Sequence, residues 1–330
     1  KKIYNWKVPL EWKLNNAKLS VNSKKIIDLN SNSLHIPSYS QAINKKINFV
    51  DLEKKIFTHK IPSAIPYRTF YYKKDWGICL SKQQLKKLKL KLKKKQNQNV
   101  EVEINTSFKK GIMNYGELVI KGKSKKEILI STYICHPSLA NDNLSGIILT
   151  FLIARYLMAK YDLKWSYRII FVPETIGAIS YIHENLDKLK KINTGFNISC
   201  VGGKGNYSVK ESWDKGHFIN SLAKNILLKE KLNFKVFNYD IHGSDERQYS
   251  YHGIGINTFS LFKDKYYDYK EYHSSLDNLN FVKGKQIHQT FQIYKKIFDE
   301  MENQSIYIST YKFSEPMLSK FNLYPDIGGS

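Results

Sequence analysis

Hydrophobic and polar positions follow two regimes along the chain. Residues 1–95 carry short alternating or aromatic stretches, KLSVNS (18–23), SLHIPSY (33–39), IPYRTFYY (65–72) and WGICLS (76–81), broken by Pro, Asn, Ser and Gly. This pattern predicts a small β-rich module with turns, closing in a helix near SKQQLKKLK (81–89). From about residue 98, strand and helix patterns alternate. NVEVEINT (99–106) and GELVIKG (116–122) read as strands, and EILISTYI (127–134) is nearly continuously apolar, as a strand covered on both faces should be. A helix follows with an apolar stripe at Leu144, Ile147, Ile148, Phe151 and Leu152. Further strands are predicted at SYRIIFV (166–172), TGFNISCV (194–201) and INTFSLF (256–262). Helices are predicted at 178–191, 217–230 and 282–301. Such alternation implies an α/β three-layer sandwich around a central mixed, largely parallel sheet, with the small β-rich module attached.

Composition narrows the classes. The 330 residues are 42% hydrophobic and 14% aromatic, enough for a buried core. The longest apolar run, GIILTFLIA (146–154), is far short of the roughly 20 residues a membrane-spanning helix needs. Three widely spaced cysteines, Cys79, Cys135 and Cys200, form neither a disulfide framework nor a CxxC cluster, so a reducing, cytoplasmic location is expected. Cys135 adjoins His136, but neighbours on a strand face opposite ways, which favours a buried apolar thiol. The formal charge of +24 suggests nucleic acid or an acidic membrane surface. Against this, only Arg68, Arg155, Arg168 and Arg247 supply the planar fork that phosphate and base recognition favours. A solvated lysine surface is the expectation, and nucleic acid is not expected as a partner. The aromatics Tyr67, Phe70, Tyr71, Tyr72 and Trp76 are expected to form the small module's core, with stacking on sugar rings as the alternative.

In open α/β sheets, ligands bind beyond the carboxyl ends of the strands. The strand at 127–134 runs into His136 and then Asp142; that at 166–172 runs into Glu174; and the segment before the last helix presents His273. Two imidazoles and a carboxylate suit Zn²⁺ with one position left open, and a free carboxylate nearby can accept a proton from water. His136, Asp142 and His273 are thus candidate ligands, and Glu174 the candidate base. Each residue has a plainer reading too. Asp142 suits a helix N-cap, His136 a hydrogen-bonded strand end, and Glu174 a surface ion pair.

The motifs YICHPS (133–138), ANDNLSG (140–146), PETIGAISYI (173–182), GSDERQY (243–249) and YHSSLDN (272–278) together resemble the aminopeptidase-like zinc hydrolases, the group of bacterial leucyl aminopeptidases and glutaminyl cyclases. Within that group they resemble an uncharacterised bacterial branch associated with polysaccharide biosynthesis, which carries an inserted small β-rich module and a C-terminal winged helix. The resemblance implies that 1–95 is the inserted module, 96–315 the hydrolase domain, and 316–330 a linker toward a further domain. It also implies that His136 and His273 are metal ligands, Asp142 the metal-bridging carboxylate, and Glu174 the general base.

The sequence departs from the two-zinc pattern at Thr175, at Ser199 and Cys200, and at Ser138, where carboxylates are lost. One zinc rather than two is therefore expected. Asp245, Glu246 and Arg247 become candidates for holding the substrate, with an internal ion pair bracing their loop as the alternative. The expected function is hydrolysis of an amide in a small peptide, aminoacyl or amino-sugar substrate. The alternative is a catalytically weak or inactive binding scaffold in a surface-polysaccharide pathway.

Overall fold

The computed structural model describes residues 1–93, 99–240, 242–304 and 309–323. A four-stranded antiparallel sheet is built from β1 (Glu11–Val21), β2 (Lys24–Ile27), β3 (Ile43–Ile47) and β4 (Val100–Lys109) in the order β2-β1-β4-β3. Strand β4 alternates buried Val100, Val102 and Ile104 with less buried Glu101 and Glu103. One face is therefore apolar, and it packs with Leu19, Ile36, Leu52 and Ile78. Helix α1 (Lys82–Lys93) lays Leu85, Leu88 and Leu92 on the same core.

The expected boundary at residue 95 lies outside the described residues. Strand β4 lies beyond it, yet joins the small sheet rather than the α/β part. The reason is its strict alternation, which fits a sheet covered on one face only.

The larger sheet has seven strands: β5 (Gly116–Ile120), β6 (Glu127–Tyr133), β7 (Ser166–Val172), β8 (Thr194–Asn197), β9 (Tyr207–Lys210), β10 (Phe234–Phe237) and β11 (Asn257–Lys263). Their order is β10-β9-β11-β8-β6-β7-β5. The central four, β11, β8, β6 and β7, run parallel, while β5 and β9 pair antiparallel to β7 and β11. Helices α2 (Gly146–Met158), α4 (Phe218–Lys229) and α5 (Gly284–Asn303) cover one face, meeting Ile128, Ile130, Ile169 and Phe196. Helix α3 (Ile176–Leu189) covers the other, meeting Leu129, Ile170 and Val172. The three-layer α/β sandwich with its mixed sheet is as expected. The sequence reading missed β9 and β10, four residues each and too short to display a period.

The stripe expected on α2 is a correction. Leu144, Ile148 and Phe151 are exposed, and the buried face is Leu149, Ile153, Ala154 and Leu157. This helix is apolar nearly all round, so spacing alone does not select its inner face.

The two parts meet where Leu34, Ile65 and Cys79 of the small unit pack on Leu139, just beyond His136. Ser33 and Ser138 share a 2.6 Å hydroxyl hydrogen bond at the same place. No helix among the described residues is long and apolar enough to cross a membrane.

Candidate metal centre

Strand β6 ends at Tyr133, and the chain then turns, releasing the residues beyond from strand alternation. The turn brings the His136 ring inward, with its side chain only 7% exposed. A π-helical turn, Ala140–Ser145, leads into α2, and Asp142 departs from helical geometry within it (φ −113°, ψ 75°). The Asp142–Asn143 peptide is cis.

Asp142 does not cap this helix. The N–H groups of Asn141 and Asp142 donate instead to Asp277, at 2.6 and 3.1 Å. Asp277 also accepts from the Tyr269 hydroxyl at 2.8 Å. Burial pushes Asp277 up to about 6 despite these three donors. Asp142 is thereby left free to face the imidazoles.

Its Oδ2 lies 3.1 Å from His273 Nε2 and its Oδ1 3.8 Å from His136 Nδ1, while the Tyr133 hydroxyl donates to Oδ1 at 2.5 Å. Burial would raise the Asp142 pKa, but the two histidines and Tyr133 outweigh it and hold the carboxyl below its ordinary value. His273 sits in a loop at φ +50°, its ring stacked 3.8 Å from that of Tyr272.

Glu174 leaves the end of β7 on the opposite side of His136. Its Oε2 is 3.6 Å from His136 Nε2, and its Oε1 accepts from the Ser244 hydroxyl at 2.7 Å. Burial raises the Glu174 pKa, and the charge of Asp142 adds to that, while His136 and Ser244 pull the other way. The two carboxyls are thus pushed apart, a pattern of functional sites.

Two groups of three potential ligands occur among the described residues. His136, Asp142 and His273 form one, Cys135, His136 and Glu174 the other, with the donor atoms of each all within 4.8 Å of one another. In the first group, Asp142 Oδ2 and His273 Nε2 are buried and face each other at 3.1 Å, and neither makes a well-formed hydrogen bond to any other group. Unsatisfied buried polar atoms are costly, and a cation held between them removes the cost. Two imidazoles and a carboxylate also form a borderline-soft donor set that suits zinc. The residues therefore fit a single metal ion.

The carboxylate-poor positions are accounted for as well. Thr175, at φ +61°, starts α3; Ser138 bonds to Ser33; and Ser199 is fully buried with an unpartnered hydroxyl.

The candidate substrate-holding residues separate. Asp245 is fully buried, accepts from the Thr175 N–H at 2.7 Å and leaves Oδ2 without a partner. Burial and the nearby Glu174 drive its pKa well above the ordinary value. Glu246 points into the protein, which corrects its expected role. It accepts from Asn197, Lys210 and Tyr266 at 2.9, 3.1 and 2.9 Å, and is itself fully buried. Breaking such a buried pair costs about 3–5 kcal/mol, so Glu246 serves the loop that carries Ser244 and Asp245. Half-buried Arg247 donates to the Ser244 carbonyl at 3.2 Å.

Sequence reasoning missed several neighbours of the centre. The Cys135 thiol, expected to be an apolar core group, accepts from the Glu174 N–H at 3.2 Å and lies 3.7 Å from His136 Nδ1. Its pKa is pushed up by burial, then by the charge of Glu174. Tyr133, Ser244 and Asp277 all lie inside the quoted motifs. Tyr67, assigned to the module's own core, has its ring edge-on to both His136 and His273, at centroid distances of 5.3 and 5.0 Å.

Comparison with known proteins places the fold among the zinc aminopeptidase-like folds. The zinc aminopeptidase BSAP from Bacillus subtilis superposes with a TM-score of 0.60 at 15% identity, over 88% of this chain and 85% of that one. A peptidase M28 precursor from Shewanella amazonensis SB2B gives 0.63 at 15% identity, over 93% and 85%. The chain belongs to the family described as Domain of unknown function (DUF4910), which matches residues 1–304. A Clostridium acetobutylicum relative, described as a polysaccharide biosynthesis protein with an aminopeptidase-like domain, is 37% identical over 99% of this chain and 74% of its own length. A crystal structure of a protein from that organism, described as a peptidase, gives a TM-score of 0.86 at 34% identity, over 97% and 74%.

Proposed function

We propose that the protein is a mononuclear zinc hydrolase of aminopeptidase type, cleaving an amide in a peptide or amino-sugar derivative. His136, Asp142 and His273 would hold the ion. The observation that carries this reading is the unpartnered, buried pair Asp142 Oδ2 and His273 Nε2, with His136 beside it. When bound, zinc supplies Lewis acidity to the amide carbonyl and to water.

The protein's own groups handle the proton. Glu174 Oε2, 3.6 Å from His136 Nε2, takes a proton from the attacking water as its oxygen bonds to the amide carbon. The same carboxyl then gives the proton to the departing nitrogen as the C–N bond breaks. Ser244 holds Oε1 at 2.7 Å, so the other oxygen remains available for this exchange. Burial raises the Glu174 pKa, which favours the protonated form that the carboxyl holds between accepting the proton and releasing it. Asp245 supports the Glu174–Thr175 corner through its bond to the Thr175 N–H. The association of the Clostridium relative with polysaccharide biosynthesis favours including amino-sugar amides among the substrates.

The test is a zinc-loaded screen over aminoacyl and N-acyl amino-sugar amides, with bound metal measured in parallel. One zinc per chain is expected, lost in His136→Ala and kept in Glu174→Gln. The latter should lose about 10²–10⁴-fold in rate. Undiminished activity in Glu174→Gln removes that residue from the mechanism. No bound metal under any loading condition favours a binding scaffold instead.

A further inference from the structure

Three consecutive residues of the small unit run alongside the loop that carries His273. The Tyr67 N–H donates to the His273 carbonyl at 2.8 Å, and Pro66 forms an antiparallel bridge with Ser274. Ile65 bonds twice to Ser275, its N–H donating to Oγ at 3.0 Å and its carbonyl accepting from the Ser275 N–H at 2.9 Å. This short antiparallel ladder restrains a histidine whose φ of +50° lies in the left-handed region that L side chains rarely occupy. Such a conformation persists only where the surroundings over-determine it.

Above the ladder, the Tyr67 ring stands edge-on to both imidazoles, whose own centroids are 5.3 Å apart. Among the described residues its hydroxyl has no hydrogen-bond partner, so the ring is held by packing and by its backbone.

We propose that Tyr67 is a positioning residue of the metal centre, supplied by the small unit: its ring and the Ile65–Tyr67 ladder hold His273 and His136 at the spacing one ion requires. The inference rests on the zinc reading above. It assigns the small unit a part in building the site. His273 lies on a long loop between β11 and α5, and its stacking partner Tyr272 moves with that same loop. Tyr67 packs instead with Leu34, Ile65 and Cys79 of the small unit, in the seam cluster that also holds Leu139. A ligand held from a second framework keeps its geometry when its own loop fluctuates, as outer-shell partners of metal ligands do elsewhere.

The experiment measures zinc affinity of the full chain by competition with a chromogenic chelator, and stoichiometry by elemental analysis, for wild type, Tyr67→Phe, Tyr67→Leu and Ser275→Ala. Circular dichroism checks that each variant is folded. Tyr67→Leu keeps an apolar side chain but removes the aromatic edge, and should bind zinc about 10- to 100-fold more weakly. Tyr67→Phe should bind as wild type does, because the hydroxyl is not what holds the rings. Ser275→Ala, which frees one rung of the ladder, should also bind more weakly. Folded Tyr67→Leu binding as tightly as wild type overturns the proposal. Should Tyr67→Leu fail to fold, wild-type affinity in Ser275→Ala overturns it instead. Wild type that takes up no zinc overturns the metal reading itself and this inference with it.

Discussion

Asp142 and Asp277 are both buried carboxyls beside one turn, and their partners divide the work between them. Asp277 takes the backbone N–H groups at the start of the turn, the task the sequence offered to Asp142. Asp142 is consequently turned toward His136 and His273. Asp142 and Glu174 are then separated electrostatically. Burial raises both, yet flanking histidines and Tyr133 prevail at Asp142, while Asp142 itself repels charge on Glu174. In the metal-free protein, carbon-detected NMR titration should find the Asp142 carboxyl below its ordinary 3.8 and that of Glu174 above its ordinary 4.5. The sign follows from the charged form, which is favoured at Asp142, so its proton leaves at lower pH. At Glu174 it is disfavoured, so the proton stays on to higher pH. Titration in the reverse order would mean that the imidazoles serve Glu174 instead, and the roles of base and ligand would have to be exchanged.

The elements show what the sequence could and could not convey. Strands β6, β7 and β11 were legible because a strand buried on both faces is a short, apolar-rich segment bounded by turn signals, as EILISTY, SYRIIFV and NTFSLFK are. His136, Asp142 and Glu174 stood out as candidates because each follows such a strand with polar chemistry the core does not need, and His273 because it lies in the YHSSLDN motif before the last helix. Tyr67 was not. Its contacts with His136 and His273 span about 70 and about 200 positions, and an aromatic residue in a β-rich stretch has an ordinary use in that unit's own core. Strand β4 was assigned to the wrong sheet for a related reason: its partner is decided by long-range pairing with β1 and β3. Helix α2 was recognised, but its facing was not, since apolar residues surround it. The structure fixes that facing, and substitution tests it. Ile153→Ala, at a fully buried position, should cost about 2–5 kcal/mol in urea unfolding. Phe151→Ala, 58% exposed, should cost less than about 0.5 kcal/mol despite removing the larger side chain. Equal losses would put Phe151 in a contact that the fold does not contain.

At the scale of the whole molecule, two units meet at a seam, and the candidate site lies beside it. The small unit has its own apolar interior around Leu19, Leu52, Ile78 and Val102, and the α/β part has two more, one on each face of its sheet. What joins them includes the Leu34, Ile65, Cys79 and Leu139 cluster, one serine pair, the short ladder to the His273 loop, and the N-terminal segment, where Lys1 pairs with Glu184 and Tyr4 meets His183 on α3. On the proposed reading, an ion that needs His136 and His273 correctly spaced, and a small unit that helps to space them, would couple the seam to metal binding. The coupling is measurable because tryptophans report on both sides. Trp6, Trp12 and Trp76 lie in the small unit's part of the chain, and Trp165 and Trp213 in the other. A ligand that binds only the folded state at a hundredfold its dissociation constant stabilises that state by about 2.7 kcal/mol. With zinc at that level, urea unfolding of variants retaining tryptophans on one side only should shift by the same amount on both sides, because loss of the small unit removes the support of His273. A shift confined to Trp165 and Trp213 would show the small unit unfolding without the metal's knowledge of it. The ligands would then be held by the α/β part alone.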